Sequence, residues 1–227
     1  MANQDFNVLG NQRGKVGNIV GYVRKGRQFY RGYTRKHATS KSEAAAIARV
    51  RFTTLRRLGL AFRGAISRGF HNLLKNTLMS SSNIFMKKNK DAVTLTSVDS
   101  EPSIDYGAFI MSEGNLPEVY FSSPNFSEEA EVSVPFDDNI QTPGAAADDN
   151  VFIVVFQPDV MTAIVSKASS RSAGSISVTV PERWSGMEVH VYGFCVNNYD
   201  RWDEQLKATI PAGEASPSTY IGYGNIS

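Results

Sequence analysis

Cysteine is almost missing from the 227-residue chain, in which Cys195 stands alone. A single thiol excludes an internal disulfide framework and any zinc site built on several thiolates. Histidine is nearly as scarce, with three scattered residues, His37, His71 and His190. They lack the helical spacing of a zinc protease, and no Walker loop, dinucleotide glycine fingerprint or Gly-x-Ser-x-Gly elbow is present. No run of 18 apolar residues exists, so no transmembrane helix is expected. The start, Met1 to Phe6, lacks the charged beginning and apolar stretch of a signal peptide, which makes the expected setting the cytoplasm or an assembled particle. Neither a metal site, a cofactor, membrane insertion nor a small-molecule substrate is expected.

The most informative shortage is of acid. Residues 1–90 contain two acids, Asp5 and Glu43, against 19 of the 24 Lys and Arg, a formal charge of +17. Residues 91–227 carry 5 basic and 20 acidic residues, a formal −15, and the overall +2 conceals the split. Such asymmetry points to a basic segment that meets a polyanion, or to two oppositely charged parts that attract within or between chains. The chain therefore reads as a basic region over 1–90 and an acidic domain over 91–227.

In the basic region, Lys15 to Tyr33 has a strand, turn, strand pattern, with Gly26 able to supply the positive φ of a tight hairpin turn. Ser40 is placed to cap a helix, with Glu43 three residues on. Ile47, Val50, Leu55, Leu58, Phe62, Ile66, Phe70, Leu73 and Leu74 then recur at mostly helical spacing, which predicts one amphipathic helix or a pair. Gly59, Gly64 and Gly69 each cost about 1 kcal/mol of helix propensity relative to Ala, so a break or a close packing contact is expected near one of them.

Beyond Lys90 the texture is β. Short runs at 93–96, 106–111, 118–121, 131–134, 151–156, 163–165, 176–180 and 187–196 are divided by Gly, Pro, Asn, Asp and Ser. Val151 to Phe156 is apolar without interruption and predicts a central strand buried on both faces. The loop 137–150, with Pro143-Gly144, reads as mobile. The predicted class is α+β: a basic N-terminal β-hairpin and amphipathic helices followed by an antiparallel, immunoglobulin-like β-sandwich.

The candidate binding residues lie in the basic part. Arg24, Lys25, Arg27, Arg31, Arg35 and Lys36 are interleaved with Tyr22, Phe29, Tyr30 and Tyr33, a mixture that contacts phosphates by charge and bases by stacking. Arg49, Arg56 and Arg63 are seven apart and would share a stripe on a continuous helix, flanked by Arg57 and Arg68. Nothing here reads base identity, so binding of nucleic acid would be independent of sequence and weakened by salt. The competing expectation keeps the aromatics as core and sets the arginines against the acidic face of another copy.

Other constellations carry less. His190 and Cys195 are five apart and point to opposite faces of one strand, so they make no local Cys/His pair, and Cys195 reads as a small core residue. Asp137-Asp138-Asn139 and Asp148-Asp149-Asn150 offer hard oxygen atoms without EF-hand spacing, and are expected to be solvated loop ends. Trp184, Trp202, Tyr199 and Tyr220 suit either a sugar- or partner-binding surface or the edge of a sandwich core.

The segment Gly14-Lys15-Val16-Gly17-Asn18-Ile19-Val20-Gly21-Tyr22, with Lys25-Gly26 and Arg31, resembles the opening of an uncharacterised family common in the Bacteroidetes. Ala48-Arg49-Val50-Arg51-Phe52 resembles that family's helix signature, although Ile47 stands where the family often has Gln. Val189-His190-Val191-Tyr192 and Ser216 to Gly222 resemble its C-terminal strand and ending. The resemblance implies a bacterial or bacteriophage origin and carries over no activity, cofactor or catalytic residue. The expectation is a non-enzymatic, self-associating structural or assembly protein, such as a phage-like particle component. Its basic region would bind nucleic-acid phosphates or an acidic subunit face. The alternative is a sandwich module that holds a carbohydrate or protein ligand.

Overall fold

The computed structural model describes residues 12–34, 42–75, 77–127 and 130–226. The chain divides into two compact units after Lys41. The first holds an antiparallel sheet of β1 (Gly14–Val16), β2 (Ile19–Arg24) and β3 (Arg27–Gly32) in the order β1-β2-β3. The second, from Ser42, opens with helices α1 (Glu43–Ala61), α2 (Arg63–Gly69) and α3 (Ser81–Lys88). Its strands follow: β4 (Val93–Thr94), β5 (Ser103–Ile104), β6 (Tyr120–Phe121), β7 (Asn125–Phe126), β8 (Glu131–Asp137), β9 (Asn150–Gln157), β10 (Thr162–Val165), β11 (Ser169–Ser170), β12 (Ser175–Thr179), β13 (Glu188–Val196), β14 (Arg201–Asp203), β15 (Ala208–Ile210) and β16 (Thr219–Asn225). The class is α+β, with the strands paired antiparallel in several sheets.

Two sheets dominate the second unit. The larger runs β10-β9-β13-β16, with β11 also on β9, and the smaller runs β12-β8-β6, with β7 also on β8. β9 is the central strand that its apolar run predicts, buried along both faces. Successive side chains of a strand point to opposite sides, so β9 serves two cores. Val151, Ile153 and Val155 pack with Val132, Val134 and Ile176 of the smaller sheet. Phe152, Val154 and Phe156 pack with Leu58, Phe62 and Ile66 of the helices. The helices are thus the third layer of the unit, on the other face of the larger sheet. The charge boundary at Lys90 runs through this unit, whereas the packing boundary falls after Lys41.

The helical phase explains that layer. Leu55, Leu58, Phe62, Ile66 and Phe70 are buried, and the Phe62 ring centroid lies 4.6 Å from that of Phe156. Each such side chain contributes about 1.5–3 kcal/mol by leaving water. The helix-initiating cap is Ser42, whose hydroxyl accepts from Ala45 N at 3.3 Å; Ser40, the expected cap, lies outside the described residues. The break falls at Phe62, and the three glycines are sites of close packing. A Cβ on Gly59 would lie 3.2 Å from the Phe85 ring, one on Gly64 3.2 Å from Val165, and one on Gly69 2.5 Å from Ser112 Cβ.

Three expectations are corrected. Tyr106 to Met111 forms no strand, because Asp105 Oδ1 accepts from Gly107 N at 3.0 Å and closes a 3₁₀ turn over Tyr106–Ala108. Loop 137–150 is pinned rather than loose: Arg201 donates to Gly144 O, Arg171 donates to Asn139 Oδ1 at 2.6 Å, and Gly144 N donates to Asp203 at 2.9 Å. Asp149, expected at a solvated loop end, is fully buried. It pairs with Arg201 and, as an ion contact at 3.3 Å, with the equally buried Arg171. The carboxylate expected at a solvated loop end is the anion that fixes two guanidinium groups beneath the loop.

Candidate nucleic-acid interface

The first unit has six Lys and Arg and no acid between residues 12 and 34. Its hairpin turns at Lys25 and Gly26, with φ of 47° and 76°, the double positive φ that suits the right-handed twist of the flanking strands. At Gly21 a side chain is excluded by proximity, since a Cβ would sit 2.9 Å from Gln12 O. Gln28 Nε2 donates to that same carbonyl at 2.8 Å.

Register sorts the side chains onto two faces. Val20 pairs with Arg31, Tyr22 with Phe29 and Arg24 with Arg27, while Lys15 pairs with Val20. Partners directly opposite share a face. One face therefore carries Lys15, Arg24, Arg27 and Arg31 around Tyr22 and Phe29, whose rings stack at 5.5 Å and 20°. Lys15 Nζ lies 3.7 Å above the Tyr33 ring, which places a cation on the same aromatic cluster. The opposite face carries Val16, Ile19 and Tyr30, exposed by 73, 52 and 50 %.

The predicted residues thus separate. Arg24, Arg27 and Arg31 come together; Lys25 is in the turn, and Tyr30 is on the other face. Arg35 and Lys36 lie outside the described residues. The stripe of Arg49, Arg56 and Arg63 does not hold as a line of three. Phe62 ends α1 before Arg63, and a groove of about 590 Å³ between α1 and α3 takes Arg56 and Arg63 together with Arg57, leaving Arg49 out. Lys15 is a member of the sheet cluster that sequence reasoning did not put in the site. Its signal is parity: it falls in step with Arg31 once the register is known.

The other candidates are placed as follows. Trp184 is completely buried in the core between the two large sheets, so it is withdrawn from any ligand surface. Trp202 and Tyr199 remain exposed, by 56 and 48 %. Tyr220 is partly buried against the helix-side core. His190 and Cys195 face opposite sides of β13. Burial pushes the Cys195 thiol up to about 12, against the opposing pull of Arg171, which holds it as a neutral core group. His190 Nδ1 meets Tyr220 OH at 2.9 Å, and burial lowers its pKa more than nearby Glu188 raises it. Among the described residues no group of three His, Cys, Asp or Glu is placed to hold a metal, and no helix is long and apolar enough to cross a membrane.

A family model described as a family of unknown function, DUF6266, matches residues 11–201, taking in the basic sheet, all three helices and most of the strands. The chain belongs to that family. No curated protein and no solved structure matches the chain. The DUF6266 match stops at Arg201, just before the exposed Trp202.

Proposed function

We propose that this DUF6266 chain is a non-enzymatic, self-associating assembly protein whose N-terminal sheet binds nucleic-acid phosphates without sequence preference. One observation carries the reading: Lys15, Arg24, Arg27 and Arg31 surround a stacked Tyr22–Phe29 pair on one sheet face, with no acid between residues 12 and 34. Cations on that face meet phosphates, and the aromatic edges and faces accept unstacked bases. The turn at Lys25-Gly26 lets the backbone approach a phosphate closely. Two antiparallel sheets over one apolar core support the immunoglobulin-like character of the second unit. A phage-like particle is the setting this pairing suits, since such a component must hold a polyanion and pack repeatedly. The alternative of a sandwich that holds a sugar or protein ligand keeps Trp202 and Tyr199 and loses Trp184.

The test is the salt dependence of binding. Full-length protein freed of nucleic acid is titrated with fluorescent single-stranded DNA from low to high salt. Replacement of Arg24, Lys25 and Arg27 by Ala is expected to reduce the slope of log K against log salt by about 0.7 for each phosphate that is no longer neutralised. An unchanged slope, or no binding by the wild type, overturns the reading.

A further inference from the structure

We infer that the groove between α1 and α3 is the socket for the β14–β15 tip of a second copy of this chain, giving a head-to-tail contact. This rests on the self-associating part of the function proposed above and not on its nucleic-acid part.

The socket has apolar and cationic character together. Phe52 and Leu60 on its α1 wall are 56 and 69 % exposed, and Arg56, Arg57 and Arg63 stand beside them. Among the described residues no carboxylate lies within ion-pair distance of these three guanidinium groups. Leu60 and Arg57 also line an adjoining depression of about 510 Å³ toward Met161. An occupant must therefore bring apolar side chains and negative charge in one small projection.

The tip of the β14–β15 hairpin has that composition. Trp202 and Leu206 are 56 and 50 % exposed, and Glu204 is exposed beside them, with the cation of Lys207 following Leu206; Asp200 lies before β14 at the other end of the hairpin, where it accepts from Ala212 N at 2.7 Å. The tip is held in shape before any contact: Asp203 accepts from Gln205 N at 3.0 Å and Leu206 N at 2.7 Å through one oxygen, and from Gly144 N through the other. Such pre-ordering lowers the entropic cost of docking. Socket and tip are different surfaces, so the contact is heterologous and propagates along a chain of copies or closes a ring. An anchor of two side chains belongs to the small, weak class of interface.

The experiment measures mass by sedimentation equilibrium on full-length, nucleic-acid-free protein across concentration. One variant destroys the socket (Arg56→Glu, Arg57→Glu, Arg63→Glu) and another the tip (Trp202→Ala, Glu204→Lys); circular dichroism checks folding. Leu60→Asp provides a milder socket variant should the triple one fail to fold. Wild type is expected to associate, and each variant alone to associate about tenfold more weakly or worse. Mixed one to one, they are expected to pair through the intact half of each and stop at the dimer. A wild type that stays monomeric overturns self-association and this interface together. Association that survives both variants, or a mixture that remains monomeric, overturns the interface alone. Association that survives the socket variant while its DNA binding falls assigns the three arginines to the polyanion and overturns the contact.

Discussion

β2 and β9 are both middle strands of antiparallel sheets, yet they meet opposite surroundings. β9 is buried on each side, one set of side chains in the core shared with the smaller sheet and the other among the helices. β2 leaves Ile19 and Tyr22 exposed by 52 and 40 %, and its partner β3 leaves Tyr30 exposed by 50 %. A small sheet gains independent stability only with a hydrophobic face that something covers. β9 carries its cover within its own unit, whereas the described part of the basic sheet leaves Val16, Ile19, Tyr22 and Tyr30 exposed. The same contrast applies to arginine. Arg171 is completely buried against Asp149, while Arg24, Arg27 and Arg31 sit on a face with no acid in their own segment. A guanidinium that leaves water must be neutralised at home, and one that stays in water is available to a polyanion.

The sharpest way to break this comparison is at Asp149. Asp149→Ala leaves Arg171 buried without its anion, and is expected to cost about 3–5 kcal/mol in urea unfolding of the full chain. A loss below about 1 kcal/mol would mean that Arg171 finds water and that the buried pair is no lock. Next comes Gly69→Ala, whose new methyl group would collide with the Met111–Ser112 backbone region, at an expected cost of about 1–3 kcal/mol. Gly26→Ala meets nothing within 4 Å and is strained only by its φ of 76°, so its cost of about 1–2 kcal/mol should fall on the basic sheet and leave the main melting transition in place. On the ligand side, Tyr22→Ala is expected to weaken single-stranded DNA binding by about 1–3 kcal/mol with little change in that transition.

The smallest effects are on pH dependence. The Cys195 pKa is raised from 9.0 to about 12, so its neutral-form stabilisation is complete below pH 9 and is lost as the pH rises toward 12. Cys195→Ala should flatten the alkaline limb of stability when urea midpoints are compared at pH 8 and 10.5. The His190 pKa is lowered below 6.5, so its contribution is present above pH 6.5 and is lost as the pH falls. His190→Gln should flatten the acidic limb in the same assay. Limbs that match the wild type would place these two groups in wetter surroundings than their burial implies.

Legibility in the sequence followed the range of the forces involved. β9 announced itself because a strand buried on both faces must be apolar at every position, and 151–156 is. The Lys25-Gly26 turn was readable at the glycine, since positive φ is a local demand. The β14–β15 hairpin was not read as strands, because its residues are largely exposed and carry no burial pattern. Trp184 and Tyr199 looked alike as aromatics near loops, yet one fills the core and the other stays at the surface. No rule of spacing separates them, because the difference lies in which distant strands close over each.

What the sequence by itself determined is the charge split, the helical face from Leu55 to Phe70, the central strand and the parity that puts His190 and Cys195 on opposite faces. These depend on periodicity and local chemistry alone. Only the tertiary structure decided that the helices share a core with the larger sheet, that Asp149 serves two arginines, and that Arg57 rather than Arg49 joins Arg56 and Arg63. Each of those outcomes depends on the helix break at Phe62 or on pairing between residues more than twenty positions apart, and composition and period carry no record of such pairings.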